Sequence, residues 1–298
     1  MERTPYALEA RGRRFLLGSR TWLMGIVNIT PDSFSDGGLF LDPDRAVERG
    51  LELSSEGADI LDVGGESTRP GAAAVSEEEE LRRVVPVIRS LRKRTDIPIS
   101  IDTTKAAVAR AALDEGADIV NDISALRFDA EMPSVIARTG AAVVLMHIQG
   151  TPLTMQLDPR YDDLLGEIRS FLSESIRRAE TAGIPADRIV IDPGIGFGKT
   201  CDHNLALLNG LDSFRELGRP LCVGLSRKAF IGRILDLPSG DRLEGTIAAA
   251  VLGISRGAHI LRVHDVREVS RAVRVAEAIL AARAGGDERE NGRASHAH

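Results

Sequence analysis

The stretch Glu56-Gly57-Ala58-Asp59-Ile60-Leu61-Asp62-Val63-Gly64-Gly65 decides the fold class, because it turns a helix exit into a strand and ends that strand on polar residues. Glycine just past a helix end adopts the left-handed conformation at little cost. The aliphatic run after it does not alternate with polar residues, as a parallel strand covered on both faces requires. The same turn returns at Glu115-Gly116-Ala117-Asp118 and, nearly, at Arg256-Gly257-Ala258-His259. It reads as a recurring helix-to-strand turn, not as a repeat protein.

Working outward, eight aliphatic runs follow in order: Leu23 to Val27, Ala58 to Val63, Ile97 to Ile101, Asp118 to Val120, Ala142 to Met146, Arg188 to Ile191, Leu221 to Leu225 and Ala258 to Val263. Helical patterns separate them. Asp42 is placed to cap a helix with Pro43 at its first position. Ser76 heads the acids Glu77 to Glu80 as a capping box. Val269, Val273, Ala276 and Leu280 share one helix face. Eight strand–helix alternations predict an α/β chain folded as a single (β/α)8 TIM barrel over residues 1–283. Residues 284–298 are polar and glycine-containing, the composition of a disordered tail.

Composition excludes several classes. The 298 residues are 43% hydrophobic and 28% charged, enough for a large core, and the net charge is −6. Basic runs are confined to Arg11–Arg14 and Arg89–Arg94, so a nucleic-acid partner is not expected. No apolar run suits a membrane span, and the first residues lack a signal-peptide pattern. Cys201 and Cys222 have no metal-type spacing and read as reduced thiols, which points to the cytoplasm.

The strand ends carry the chemistry. In order they present Asn28, Asp62, Asp102, Asn121, His147, Asp192, Ser226, and then Arg262 with His264. In a (β/α)8 barrel these ends share one rim, where the active site is built. Taken singly, each has a bland alternative as a helix cap or surface residue. The loop Gly64 to Gly71 offers Ser67, Thr68 and Arg69 to an anion, or is simply a flexible loop. Asp192-Pro193-Gly194-Ile195-Gly196-Phe197-Gly198-Lys199 is not a P-loop, because Pro193 stands where the first glycine belongs. It leaves a carboxylate, a tight turn, and Phe197 presented to something flat. A flat polar ligand and a diphosphate suit this set: Asp102, Asn121 and Asp192 accept from adjacent N–H donors, while Arg69, Arg262, His264, Ser67 and Thr68 suit phosphates.

With those residues in hand, the chain resembles the dihydropteroate synthase family over roughly residues 20–280. The resemblance rests on Met24 to Gly38, the Gly64–Gly71 loop, Ser100 to Thr103, Met146 to Pro152, the Asp192–Lys199 turn, Ser226-Arg227-Lys228 and Arg262 to Val266. It implies a transferase of folate biosynthesis that joins (7,8-dihydropterin-6-yl)methyl diphosphate to 4-aminobenzoate, with Mg2+, as a homodimer and a sulfonamide target. It implies a pterin pocket of Asp102, Asn121, Met146, Asp192, Phe197 and Lys228, and a diphosphate site of Asn28, Ser67, Thr68, Arg69, Arg262 and His264. Phe34, Thr68, Pro70, Phe197 and Ser226 would border the aminobenzoate, and Asn28 and Asp36 would reach the Mg2+. Asp102, Asp192, Lys228 and Arg69 are the residues implied to act in catalysis.

That chemistry is expected to be largely dissociative: the diphosphate accumulates negative charge as the C–O bond breaks, and the pterin positive charge. Two other readings stay open. A pterin-dependent methyltransferase would share the pocket but has no use for the diphosphate residues. A non-catalytic pterin-binding paralogue would keep the motifs without turnover.

Overall fold

The computed structural model describes residues 3–29 and 43–282. Eight parallel strands run β3 (Trp22–Asn28), β4 (Ile60–Gly64), β5 (Ile99–Asp102), β6 (Ile119–Asp122), β7 (Ala142–Met146), β8 (Ile189–Asp192), β9 (Cys222–Gly224) and β10 (Ile260–Val263). Their order is β8-β7-β6-β5-β4-β3-β10-β9, and a parallel bridge from Ile191 to Leu221 closes the ring. The expected eight-stranded barrel is therefore observed. The helices are α1 (Pro43–Ser55), α2 (Glu77–Arg92), α3 (Ala106–Asp114), α4 (Met132–Thr139), α5 (Leu164–Thr181), α6 (Cys201–Asn209), α7 (Ala229–Leu235), α8 (Leu243–Ser255) and α9 (Val266–Ala281).

Strand parity explains the layering. Side chains two residues apart share a face. Leu61, Val63, Ile99, Ile101, Val143 and Leu145 pack with the helices in the outer core. Met24, Ile60, Ile119, Val190, Cys222 and Ile260, near the strand beginnings, form a separate apolar layer inside the barrel. Two residues further along, the same inner face carries Asp62, Asn121, Asp192 and Arg262. These four strands are thus apolar at the bottom and polar at the top.

An antiparallel hairpin precedes the barrel, β1 (Tyr6–Ala10) and β2 (Arg13–Leu17), turning at Arg11-Gly12. Sequence reading did not anticipate it. Leu8, Ala10 and Leu17 pack into the inner apolar layer, so the hairpin covers the barrel's lower mouth.

The recurring turn has a second function. The Asp59 backbone N–H donates to Leu23 O at 2.8 Å, and its carboxylate accepts from Leu23 N at 2.9 Å. Asp118 does the same to Ile99, at 2.7 and 3.0 Å, and His259 to Leu221, at 2.8 and 3.1 Å through Nδ1. The fourth residue of the motif therefore clasps the start of the neighbouring strand on the face away from the site.

Other expectations divide. Ser76 caps α2 by accepting from Glu79 N at 3.2 Å, but the Glu79 carboxylate binds Arg82 and Arg83. Leu280, predicted on the buried face of α9, is exposed, whereas Val269, Val273 and Ala276 are buried. Cys222 is buried and Cys201 only half-buried, both unpaired. Asp42 lies outside the described residues. No described helix is long and apolar enough to cross a membrane.

Leu8 is 1% exposed and Leu16, on the same hairpin, 66%. Leu8→Ala should cost roughly 2–5 kcal/mol by opening a cavity at the barrel's lower mouth, and Leu16→Ala less than about 0.5 kcal/mol. Equal shifts in urea midpoint for the two variants would show that the hairpin does not plug the barrel.

Candidate active site

Register brings four strand ends into one lateral row: Asn28 opposite Gly64, Gly64 opposite Asp102, Asp102 opposite Asn121. Gly64 keeps that row open. A Cβ there would lie 3.5 Å from Asp102 Cβ and 3.8 Å from Asn28 Oδ1. Asp102 and Asn121 are buried at the top of the barrel interior.

An ion cluster fills the floor beneath. Arg262 Nε donates to Asp62 Oδ2 at 2.6 Å, and Nη2 to Asp102 Oδ2 at 2.7 Å. Asn121 Nδ2 donates to the same Asp62 oxygen at 3.2 Å. Asp62 is 0% exposed, and its Oδ1 has no hydrogen-bond partner among the described residues. Burial raises the Asp102 pKa above the usual carboxylate range, against the pull of Arg262 and with the help of the Asp62 charge. Arg262 was expected on the diphosphate alone; here it is first the counter-ion of two carboxylates. Its Nη1 has no partner among the described residues, and the side chain is 20% exposed. Asp62 had been read as a strand end without a role.

The turn after β8 forms the adjoining wall. Asp192 Oδ1 accepts from Gly194 N at 2.7 Å. Gly194 has φ +71°, and a Cβ there would fall 1.8 Å from His147 O, so no other residue fits. Asn204 Oδ1 accepts from Gly196 N at 2.6 Å, and Lys199 Nζ, whose pKa burial pushes well below the usual lysine range, donates to Phe197 O at 2.9 Å. These bonds fix Phe197, which packs on Met146, Ile123, Ile148 and Met155. Lys228 crosses over Gly196, its Nζ 4.4 Å from the Phe197 ring centroid. Burial raises Asp192 to about 6 despite its bond to Gly194 and the charge of Lys228. Burial lowers Lys228 to about 8, partly offset by Asp192. At pH 7 both are mostly charged.

The rim joins the other expected residues. Ser226 Oγ lies 3.0 Å from His264 Nδ1 and accepts the His264 backbone N–H at 3.3 Å. Burial, then Arg262, lowers His264 to about 3. With that lowered pKa His264, expected on the diphosphate, offers it an N–H and not a charge at pH 7. Arg69 and Pro70 are exposed, and Ser67 and Thr68 half-buried, in the loop above Gly64. Among the described residues Arg69 has no ion-pair partner. Phe34 and Asp36 lie outside the described residues.

One strand end does not join the rim. His147 is buried against Phe171, with ring centroids 4.7 Å apart, and its Nδ1 is 2.9 Å from Lys199 Nζ. Burial lowers it to about 2. Met146, one residue earlier, takes the inner face, so His147 falls on the outer one.

Breaking the floor cluster should be costly. Arg262→Met leaves two buried carboxylates without a counter-ion, a loss of roughly 3–5 kcal/mol. Asp102 has a folded pKa above its unfolded value, so its penalty is full at alkaline pH and is relieved as pH falls through the folded value. Urea unfolding at pH 8 and pH 5 should therefore show the larger deficit at pH 8; a deficit independent of pH would contradict the assignment.

The arrangement can hold a flat donor-rich ring over carboxylates, with an anion beside it. A family model described as pterin binding enzyme matches residues 24–264. The dihydropteroate synthase of Synechocystis sp. is 50% identical over 88% of this chain and 91% of its own length. The Xanthomonas albilineans dihydropteroate synthase with 4-aminobenzoic acid superposes with a TM-score of 0.88 at 47% identity, covering 94% of this chain and 100% of that one. The Clostridium difficile dihydropteroate synthase in the presence of pteroic acid gives 0.84 at 48% identity, covering 88% and 98%. The chain therefore belongs to the pterin-binding enzyme family, among its dihydropteroate synthases.

Proposed function

We propose that the barrel floor binds the pterin ring of (7,8-dihydropterin-6-yl)methyl diphosphate, that the rim takes its diphosphate, and that 4-aminobenzoate displaces it. The reaction is dihydropteroate synthesis, a transfer of the dihydropterinylmethyl group in folate biosynthesis. The observation that carries this reading is the pair of buried carboxylates, Asp102 and Asp192, flanking Asn121 beneath the exposed Arg69. The related enzymes crystallised with 4-aminobenzoic acid and with pteroic acid support it.

Each residue answers a demand of the chemistry. As the C–O bond breaks, positive charge develops on the pterin, and Asp192 and Asp102 favour that state over the neutral ring. Phe197 and Met146, packed together, provide an apolar wall against which the ring can lie. The departing diphosphate gathers negative charge. Arg69, the Nη1 of Arg262, the hydroxyls of Ser67 and Thr68 and the His264 N–H stabilise it in place. Lys228, held over Phe197, supplies a cation between the two substrates. Phe34, Thr68, Pro70, Phe197 and Ser226 border the aminobenzoate. That amine is neutral at pH 7 and needs orientation more than a base, so the substitution is largely dissociative.

Mg2+ fits this donor set. It prefers oxygen ligands and retains waters, binding through one or two protein groups and substrate phosphates. Among the described residues no cluster of three His, Cys, Asp or Glu forms a cage. Asn28 Oδ1, beside Gly64, is a suitable single oxygen donor, and Asp36 is a second. When bound, the ion would neutralise the diphosphate leaving group. The enzyme works as a cytoplasmic homodimer. Its partner surface lies on α7, α8 and α9, where Ile234, Leu252, Val275, Ile279 and Leu280 are exposed. Sedimentation equilibrium should give twice the chain mass, and Ile279→Asp the mass of one chain; a wild-type monomer would refute the assembly.

The function is tested by diphosphate release with Mg2+ and the pterin diphosphate, with and without 4-aminobenzoate. Release should depend on 4-aminobenzoate and match dihydropteroate formed; none at all would favour the non-catalytic reading. Asp192→Asn should slow turnover at least about tenfold with the fold intact. The wild-type kcat/KM should fall in two steps as pH drops through about 7 and about 6, where Asp102 and Asp192 take protons, and the variant should lack the lower step. Unchanged kinetics and an unchanged acid flank in the variant would refute the role of Asp192.

A further inference from the structure

The loop from Gly65 to Gly71 is fastened at its ends and not in the middle. At its start, Arg83 Nη1 on α2 donates to Gly65 O at 2.7 Å. A Cβ on Gly65 would meet Val84 Cγ1 at 2.8 Å and Glu80 Cγ at 3.0 Å, so the backbone lies directly on α2. At its end, Gly71 N donates to Pro152 O at 3.1 Å. From Ser67 to Pro70, the hydrogen bonds among described residues are internal to the loop: Arg69 N to Ser67 Oγ at 3.5 Å and Ala72 N to Arg69 O at 3.1 Å.

The remaining fastening is a lysine between two acids. Lys105, at the N-cap of α3 and three residues past Asp102, gives its ammonium to Glu66 in the loop and to Glu80 Oε2 at 2.5 Å. Glu80 lies on α2 and is 0% exposed. Its Oε1 is buried without a hydrogen-bond partner among the described residues, and its charge is felt by Asp102. Lys105 alone would satisfy Glu80 as a buried pair. The second carboxylate, Glu66, adds little to the core, because it projects from the loop. It places the lysine's bond where it restrains the residue immediately before Ser67.

We propose that Lys105 and Glu66 are positioning residues: the Glu66–Lys105–Glu80 clamp fixes the root of the loop so that Ser67, Thr68 and Arg69 meet the diphosphate in one place. The clamp ties the loop to β5, whose end bears Asp102. The ring-binding floor and the anion-binding rim thereby share one support. This inference rests on the reading of Ser67–Arg69 as diphosphate ligands.

Lys105→Met would leave Glu80 as a bare buried carboxylate and endanger folding, so the clamp is best cut at Glu66. Glu66→Ala leaves the Lys105–Glu80 pair intact and should keep the wild-type melting temperature. KM for the pterin diphosphate should rise about tenfold, the scale of effect that a sub-ångström misplacement of a ligand-holding group produces. The dissociation constant of a pterin lacking phosphates, measured by calorimetry, should not change. Glu66→Gln keeps an oxygen acceptor for the ammonium and should recover most of the loss. Arg69→Ala is the control for the underlying reading. If Arg69→Ala weakens the pterin diphosphate and Glu66→Ala does not, the clamp is refuted. If Arg69→Ala itself has no effect, the reading of the loop fails instead. Equal losses for both pterins in Glu66→Ala would mean a general distortion and also overturn the proposal.

Discussion

Arg262 sends its side chain from β10 past the neighbouring β3 to carboxylates on β4 and β5, and this cross-barrel ion cluster constrains the rest of the interior. Removing two carboxylates from water is expensive unless each is paired and hydrogen-bonded. The lower interior must therefore be dry and apolar, so that the charges occupy only the layer that opens toward ligand. The hairpin β1–β2 meets the same requirement from below by covering the lower mouth with Leu8 and Leu17. With one guanidinium facing two carboxylates, the cluster favours a further positive charge, which is what a pterin losing diphosphate acquires.

The barrel was legible because its strands are buried on both faces. A continuous aliphatic run between helical patterns is a strong signal, and each of the eight predicted runs overlaps an observed strand. The hairpin was harder to read. Its strands are five residues each, and only alternate positions are buried. Arg11-Gly12, a usable turn signal, had been noticed only as part of a basic run. Parity separates the other successes from the failures. Arg262 and His264, both expected on the diphosphate, lie two residues apart, and the Arg262 charge is felt by His264. His147 was counted with the rim because it follows a strand, but Met146 already takes the inner face.

Sequence could name the polar residues and not their partners. That Asp102, Asn121 and Asp192 gather in one place follows from strand ends sharing a rim. That Asp62 anchors Arg262 does not follow, because it depends on a side chain reaching across an intervening strand. The protonation of His264 was equally hidden. Burial, with Arg262 and Arg227 nearby, outweighs the pull of Asp265 and lowers its pKa to about 3. Lys199, likewise, reads as the end of a glycine turn, while in the structure its buried amine holds the Phe197 carbonyl.

The two ends of the barrel are stabilised by different means, and the difference bears on catalysis. At the bottom, Asp59, Asp118 and His259 clasp neighbouring strands through backbone and side chain together, leaving little freedom. At the top, the functional loops are held by separate polar tethers, among them Asn204 on Gly196, Lys199 on Phe197 and Lys105 on Glu66. Apolar packing would hold these loops as firmly, but it would fill the space that substrates need. Polar tethers fix a loop at one atom and leave its neighbours exposed to ligand. Arg262 belongs to both regimes, since two of its nitrogens tie the floor and the third has no partner among the described residues. A substitution there must disturb ring binding and anion binding together, whereas the loop residues can be altered with the floor left whole.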